Sequence, residues 1–375
     1  MSEGRRRLGN ILRVLLTAAA VAVVVAMIRF RDFVRIEEAP GKVRIAGRDE
    51  ILRIERREGR TVVFWAGGGV SEHAPGDVTE QEGFLSLFGR VDKGLFAAMV
   101  AALLVPTLAM ALRWRLLLRG HGFEAPLGRT FLVTYAGLFF NNFLPGSVGG
   151  DLARAVLASS GETRKAAVAG TVILDRLIGL GVMIVLGGAC LIPFAPRFRD
   201  RTPVLVALGL FGGMILAYLA YFSPWLRGRL RDRLPFRRTL GELDGVFRSV
   251  RERPALVAAA AGLSLLSQGA SILVAYGLAQ ALGAGGVPIW MFFVFEPIIF
   301  IVTAVPVSVG GWGVQEGAYA YLFGTLAGMG TTQAVALSVL FKLSWILVSI
   351  PGGILFALGA ARRSEGVSLS AGRPL

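Results

Sequence analysis

Seven acidic and basic positions stand inside apolar sequence, where a charge needs a reason. Asp151 and Arg154 are three residues apart. On a helix they share a face, so they can pair, or Arg154 can bind a lipid phosphate that Asp151 positions. Asp175 and Arg176 are neighbours well inside a long apolar run. On a helix they point about 100° apart, so each needs its own partner. Glu296, Glu316 and Lys342 are the remaining charged candidates, with Gln268 a neutral one, and Lys342 can pair with Glu316. A charge at the bilayer centre costs about 2.5–3.5 kcal/mol on insertion scales. Such groups mark transport pathways, or they form ion pairs that hold a bundle together.

Two of these positions follow breaks that resemble each other. Pro145-Gly146-Ser147-Val148-Gly149-Gly150 and Pro306-Val307-Ser308-Val309-Gly310-Gly311 agree at five of six positions. Asp151 follows the first directly and Glu316 follows the second five residues on, while Asn141 and Asn142 precede the first. Proline and paired glycines stop a helix and free backbone groups. At membrane depth such groups are tolerated only when buried in protein or lining a wet cavity. The helix that restarts then offers a positive N-terminus and amides to a phosphate. The substrate-binding candidates are therefore Asn141, Asn142, Pro145, Gly149, Gly150, Asp151, Arg154, Asp175, Arg176, Glu296, Pro306, Ser308, Gly310, Gly311, Glu316 and Lys342. A bare helix kink, in a chain with 49 glycines, is the plainer reading of the repeat.

Other chemistry finds no support. The one cysteine, Cys190, lies in an apolar run and can form neither an internal disulfide nor a cysteine cluster for zinc. His73 and His121 sit in polar stretches with no metal or triad spacing around them. No catalytic residue, metal or cofactor is expected. The net charge of +15 and pI near 11.1 bring no RNA- or DNA-binding motif with them, so nucleic acid is not an expected partner. No phosphate-binding loop of the GxxxxGK[ST] kind is present, which leaves ATP-driven work by this chain unsupported.

The elements that must position these residues are membrane helices. Of the 375 residues, 54% are hydrophobic and 17% charged, and the mean hydropathy is +0.63. Apolar runs reach the roughly 20 residues that cross a bilayer, and they are continuous rather than alternating, which excludes a barrel. The runs are Ile11–Ile28, Leu95–Leu112, Ala166–Phe194, Pro203–Phe222, Ala255–Leu282 and Thr332–Ala361. Thr130–Leu144 and Ile289–Val305 are broken by the two motifs, and Ala318–Gly328 is short. The reading is an all-α polytopic membrane protein with about six full spans and two Pro/Gly-broken re-entrant hairpins in an inverted repeat. Basic clusters at Arg113–Arg129, Trp225–Arg253 and Arg362–Arg363 then fall on the cytoplasmic side with both termini, and these loops grip anionic lipid.

Residues 29–93 differ in kind. They carry 12 basic and 12 acidic side chains, so the excess charge sits elsewhere. The alternating runs Lys42–Ile45 and Thr61–Trp65 predict a small β-rich extracytoplasmic insertion, suited to a structural role or a protein partner. The domains are accordingly an N-terminal anchor (1–28), the β-rich module (29–93), a transmembrane domain (94–361) and a cytoplasmic tail (362–375).

Three stretches carry a family resemblance: Asn141–Arg154, Ile173–Leu180 and Pro306–Glu316. Together the chain from about Leu95 to Ala361 resembles the lysylphosphatidylglycerol synthase transmembrane-region family, also called flippase-like or uncharacterised protein family 0104. The resemblance implies an integral domain of a bacterial-type inner membrane that moves phospholipid between leaflets. In the multiple peptide resistance factors this domain precedes a soluble aminoacyl-tRNA-using synthase, and here only residues 362–375 follow the last span, so lysyl transfer is not expected. The expected function is a flippase- or scramblase-like translocator, not an enzyme, with a membrane phospholipid as substrate and an unknown oligomeric state. The alternatives are a membrane-embedded transferase on lipid-linked substrates and an accessory subunit working through residues 29–93.

Overall fold

The computed structural model describes residues 30–39, 42–57, 59–74, 76–143, 149–159, 164–197, 252–304 and 308–357, with isolated positions elsewhere. The N-terminal anchor, most of the Pro203–Phe222 run and of the basic loop after it, the C-terminal tail, Pro145 and Pro306 lie outside the described residues.

Residues 33–81 form six strands in two antiparallel three-stranded sheets. One sheet has the order β2 (Lys42–Gly47), β1 (Phe33–Ala39), β6 (Val78–Gln81). The other has the order β3 (Ile51–Arg57), β4 (Arg60–Trp65), β5 (Val70–His73). In β1, Val34 and Ile36 are buried and Arg35 and Glu37 exposed, the period of a half-buried strand. Val34, Ile36, Ala46, Ile51, Val63 and Val78 make one small core shared by both sheets.

A short helix, α1 (Phe84–Gly89), joins this module to the helical domain. Its Leu87 is buried in the largest apolar core of the molecule. Then α2 (Lys93–Ala102) and α3 (Leu104–Gly120) run on with a break at Leu103. Pro106 explains it: it has no N–H to give to the carbonyl of Ala102, four residues back. Asp92 caps α2 by accepting from the Leu95 amide at 3.0 Å.

Next come α4 (Leu127–Phe143), α5 (Gly149–Ala158), α6 (Lys165–Phe194) and α7 (Pro254–Ala281). They are followed by α8 (Ile289–Ala304), α9 (Val314–Tyr319), a π-helical stretch (Ala320–Leu326) and α10 (Thr331–Ala357). Among the described residues, four helices are long and apolar enough to cross a membrane: Lys93–Gly120, Lys165–Phe194, Pro254–Ala281 and Thr331–Phe356. Ile289–Ala304 is apolar but shorter. The protein is thus a mostly helical, multi-pass membrane protein with a small β region near its N-terminus.

Packing brings the two motif regions together. α10 lies against α4 so closely that a side chain at Gly352 would meet the backbone of Tyr135. α5 folds back on α4, and Gly137 and Gly150 face each other there with no room for a Cβ. Gly187 on α6 receives Pro297 of α8 in the same way. After α8 the chain turns through Gly310, Gly311 and Gly313 at φ of 57°, 75° and 81°, a backbone that glycine alone adopts readily.

Candidate functional site: a charged cavity between the two broken segments

The helix faces converge on a cavity of about 340 Å3, within the range of small-ligand sites. Its wall draws on α3 through α10 and on the glycine turn. Among the residues singled out from the sequence, Asn141, Asn142, Asp151, Arg154, Asp175, Arg176, Glu296, Gly310, Gly311 and Lys342 line it. Gly149, Gly150, Ser308 and Glu316 do not.

One wall is a chain of ion pairs across three helices. Asp175 on α6 accepts from Arg113 Nε at 2.6 Å on one oxygen and from Arg154 Nη1 at 3.0 Å on the other. Arg154 also lies 3.5 Å from Asp151, one helical turn back on α5. Arg176 pairs with Asp151. Asp175 and Arg176 thus do find separate partners, as their angular separation on a helix demands. Asp175 is 1% exposed, and Arg113 and Arg154 are 4% exposed, so water compensates none of these charges.

Arg113 corrects the sequence reading. By sequence it falls with the basic cluster of Arg115, Arg119 and Arg129, yet it sits inside α3, buried, with a second bond of 2.7 Å to Ser264 Oγ on α7. The signal that could have revealed it is the continuation of the helix past Leu112 to Gly120, which places Arg113 two turns before the helix end.

The network holds three guanidiniums and two carboxylates, one positive charge in excess. That excess is felt at Arg154. Its Nε and Nη2 are buried and have no acceptor among the described residues, while its plane lies 4.4 Å over the ring of Trp114. Trp114 is itself fixed, its Nε1 donating to Thr171 Oγ1 at 3.1 Å.

The opposite side centres on Lys342 of α10. Its Nζ is 3.5 Å from Glu316 and 4.2 Å over the Trp312 ring. Glu296 of α8 accepts a hydrogen bond from the Tyr319 hydroxyl. Asn142 ties the halves together: its amide donates to Ser349 Oγ on α10 at 3.1 Å, and its backbone carbonyl abuts Gly310.

At each restarting helix one amide already has an acceptor. The Gly150 amide donates to Asn141 Oδ1 at 2.8 Å, and the Gly313 amide to Glu316 Oε2 at 2.5 Å. Asn141 and Glu316 act as caps, each satisfying one of the orphan donors that a helix start leaves. Cationic side chains, those of Arg113, Arg154, Arg176 and Lys342, bring positive charge to this cavity. Among the described residues no cluster of His, Cys, Asp and Glu has the makings of a metal site.

A family model for the transmembrane region of lysylphosphatidylglycerol synthase matches residues 78–352, well over half of the chain. The chain belongs to this family. No curated protein and no solved structure matches it. The matched region begins at β6 and ends within α10, so it includes every residue of the cavity and leaves out most of the β module. Membership in the lysylphosphatidylglycerol synthase transmembrane-region family makes this a membrane protein concerned with lipid.

Proposed function

We propose that the protein moves a phospholipid, or a lipid-linked headgroup, between the leaflets of a bacterial-type inner membrane through the cavity. The observation that carries the reading is the Arg154 guanidinium. It is buried, holds the excess charge of its network and keeps two nitrogens, Nε and Nη2, without an acceptor among the described residues. A buried donor with no partner costs about 1–3 kcal/mol, more when charged, and a phosphate oxygen would relieve that. Asp175 and Asp151 orient the guanidinium, while Arg113 and Arg176 prevent either carboxylate from repelling the incoming anion. The acyl tails stay in lipid while the headgroup crosses in the polar interior.

In this reading α4–α5 and α8–π are the re-entrant hairpins of an inverted repeat, an arrangement that places substrate near the midplane. About six full spans carry them, with both termini and the basic loops on the cytoplasmic side, where those loops hold anionic lipid. The β module lies on the other face, available to a protein partner. No step of this movement uses a cofactor.

The test is transbilayer movement in vesicles of phosphatidylglycerol and phosphatidylethanolamine that contain the purified full chain. Acyl-labelled phosphatidylglycerol and phosphatidylethanolamine are the probes, and an external quencher reads the accessible leaflet. The wild type should exceed protein-free vesicles, and the Asp151→Asn/Arg154→Gln protein should fall at least about tenfold, a loss of about 1.4 kcal/mol of barrier stabilisation. Movement at the protein-free rate for both probes, from folded wild type, would overturn the reading and leave the transferase and accessory-subunit alternatives.

A further inference from the structure

The cavity holds three carboxylates on its wall, and they are not alike. Asp151 is paired with Arg154 and Arg176, and Asp175 with Arg113 and Arg154. Glu316, just behind the wall, is paired with Lys342. Glu296 has no cation partner among the described residues; its one hydrogen bond there comes from Tyr319.

The elements around it explain why. α7, packed on α8, contains no Asp, Glu, Lys or Arg over Pro254–Ala281, and its polar contributions to the cavity are Ser267, Gln268 and Ser271. Tyr276 of α7 meets α8 at Phe292 by an aromatic edge. On α6 the charges are Lys165, at its first residue, with Asp175 and Arg176, and α6 touches Pro297 at Gly187, twelve residues or about 18 Å beyond Asp175. On α9 the neighbours are Glu316 and Tyr319, and on α10 Lys342, which is held by Glu316 and Trp312. Glu296 is 7% exposed and Tyr319 fully buried. A carboxylate charge so placed is costly in a low-dielectric interior, and the group can shed that charge only by taking a proton.

The bond has a mechanical position as well. Glu296 immediately precedes Pro297, which removes one hydrogen bond from α8. Tyr319 is the last residue before the π-helical stretch Ala320–Leu326. Long π stretches are rare and concentrate at functional sites. The Glu296–Tyr319 bond therefore clamps the irregular point of one arm of the second broken segment to the irregular point of the other.

From this the geometry points to Glu296 as a proton-binding hinge: uptake and release of a proton at its carboxyl set the angle between α8 and the α9–π arm, and so the opening of the cavity. The step forms or breaks only the O–H bond of Glu296, with the proton drawn from water in the cavity. The inference rests on the lipid-translocation reading for its purpose, though not for its test.

The full chain, with Cys190 replaced, is spin-labelled at Val185 on α6 and Tyr321 on the π stretch, both exposed. It is studied in the same vesicles from acidic to mildly alkaline pH. Three results are expected. An infrared band of a buried protonated carboxyl titrates in the wild type and is missing in Glu296→Gln. The label separation shifts with pH in the wild type and is fixed in Glu296→Gln. The rate of lipid movement changes by up to about tenfold per pH unit on its titrating limb and is flat in Glu296→Gln. Tyr319→Phe, the second variant, keeps the carboxyl band but shifts its frequency and fixes the label separation. A band and a pH-dependent separation that persist unchanged in Glu296→Gln would overturn the hinge. Lipid movement absent throughout, with band and separation behaving as expected, would overturn the translocator reading and leave the hinge standing.

Discussion

At the scale of single residues, the buried network makes unequal demands on its members. Asp175 faces two guanidiniums at once and is almost wholly buried. Replacing it with Asn leaves Arg113 and Arg154 without a counter-charge, and breaking a buried pair costs about 3–5 kcal/mol. Asp151 is 16% exposed at its side chain, and one of its partners, Arg176, is 30% exposed. Asp151→Asn should cost less, about 1–3 kcal/mol. Thermal unfolding in detergent should therefore rank wild type, Asp151→Asn and Asp175→Asn in falling order, with Asp175→Asn poorly folded. Equal midpoints for the two variants would contradict the division of labour drawn here. Arg154→Gln is milder than Asp175→Asn for a related reason: Asp175 keeps Arg113. This is why the lipid-movement test uses Asp151 and Arg154. Spacing showed that Asp151 and Arg154 share a helix face and that Asp175 and Arg176 need separate partners, but not which residues those partners are. Arg113 could not be read from it, because in sequence it stands beside three other arginines at the end of an apolar run.

At the scale of elements, glycine decides how near the helices come. Gly352 of α10 lies against the Tyr135 backbone of α4, and Gly353 lies against the Phe139 ring. A methyl at Gly352 meets main chain, which has no rotamer to yield. Gly352→Ala should destabilise by about 1–3 kcal/mol, the usual cost of overpacking. Gly181 on α6 is the contrast: nothing stands near the position of its Cβ, so Gly181→Ala should stabilise by up to about 1 kcal/mol through helix propensity alone. Unfolding midpoints of opposite sign check both. Three long helices, Lys165–Phe194, Pro254–Ala281 and Thr331–Ala357, were legible within a few residues, because about 20 apolar residues in a row have few other uses, while the one read as ending at Leu112 runs on to Gly120. The break at Leu103 and the π stretch after Tyr319 were not legible. The first depends on one proline, Pro106, whose effect falls three residues upstream. The second leaves no periodic trace in Ala320–Leu326.

At the scale of the molecule, the question is whether the β module takes part in the cavity's work. None of the cavity-lining residues comes from 33–81. The module is tied at its end: the Gly83 amide donates to Asp32 Oδ1 at 2.7 Å, and the Leu85 amide to the Phe30 carbonyl at 3.2 Å. That Gly83 bond above all, with the Ser86 side chain and the Arg90 and Arg48 charges, holds the Asp32 carboxyl below its usual value. The sign follows from linkage. A carboxylate with a lowered pKa in the folded state stabilises the fold above its unfolded value of about 3.9, and the contribution disappears as pH falls through the folded value. Protection of the Gly83–Leu87 amides against hydrogen exchange should therefore be full near neutrality and decline in acid. In Asp32→Asn protection should be lower near neutrality and lack that acid step. If the cavity alone carries the lipid, Asp32→Asn should still move labelled phosphatidylglycerol at the wild-type rate, since Phe84 and Leu87 keep α1 anchored in the helical core. A fall in rate that follows the loss of amide protection would instead couple the module to the cavity through α1, which packs on α10, the helix that carries Lys342.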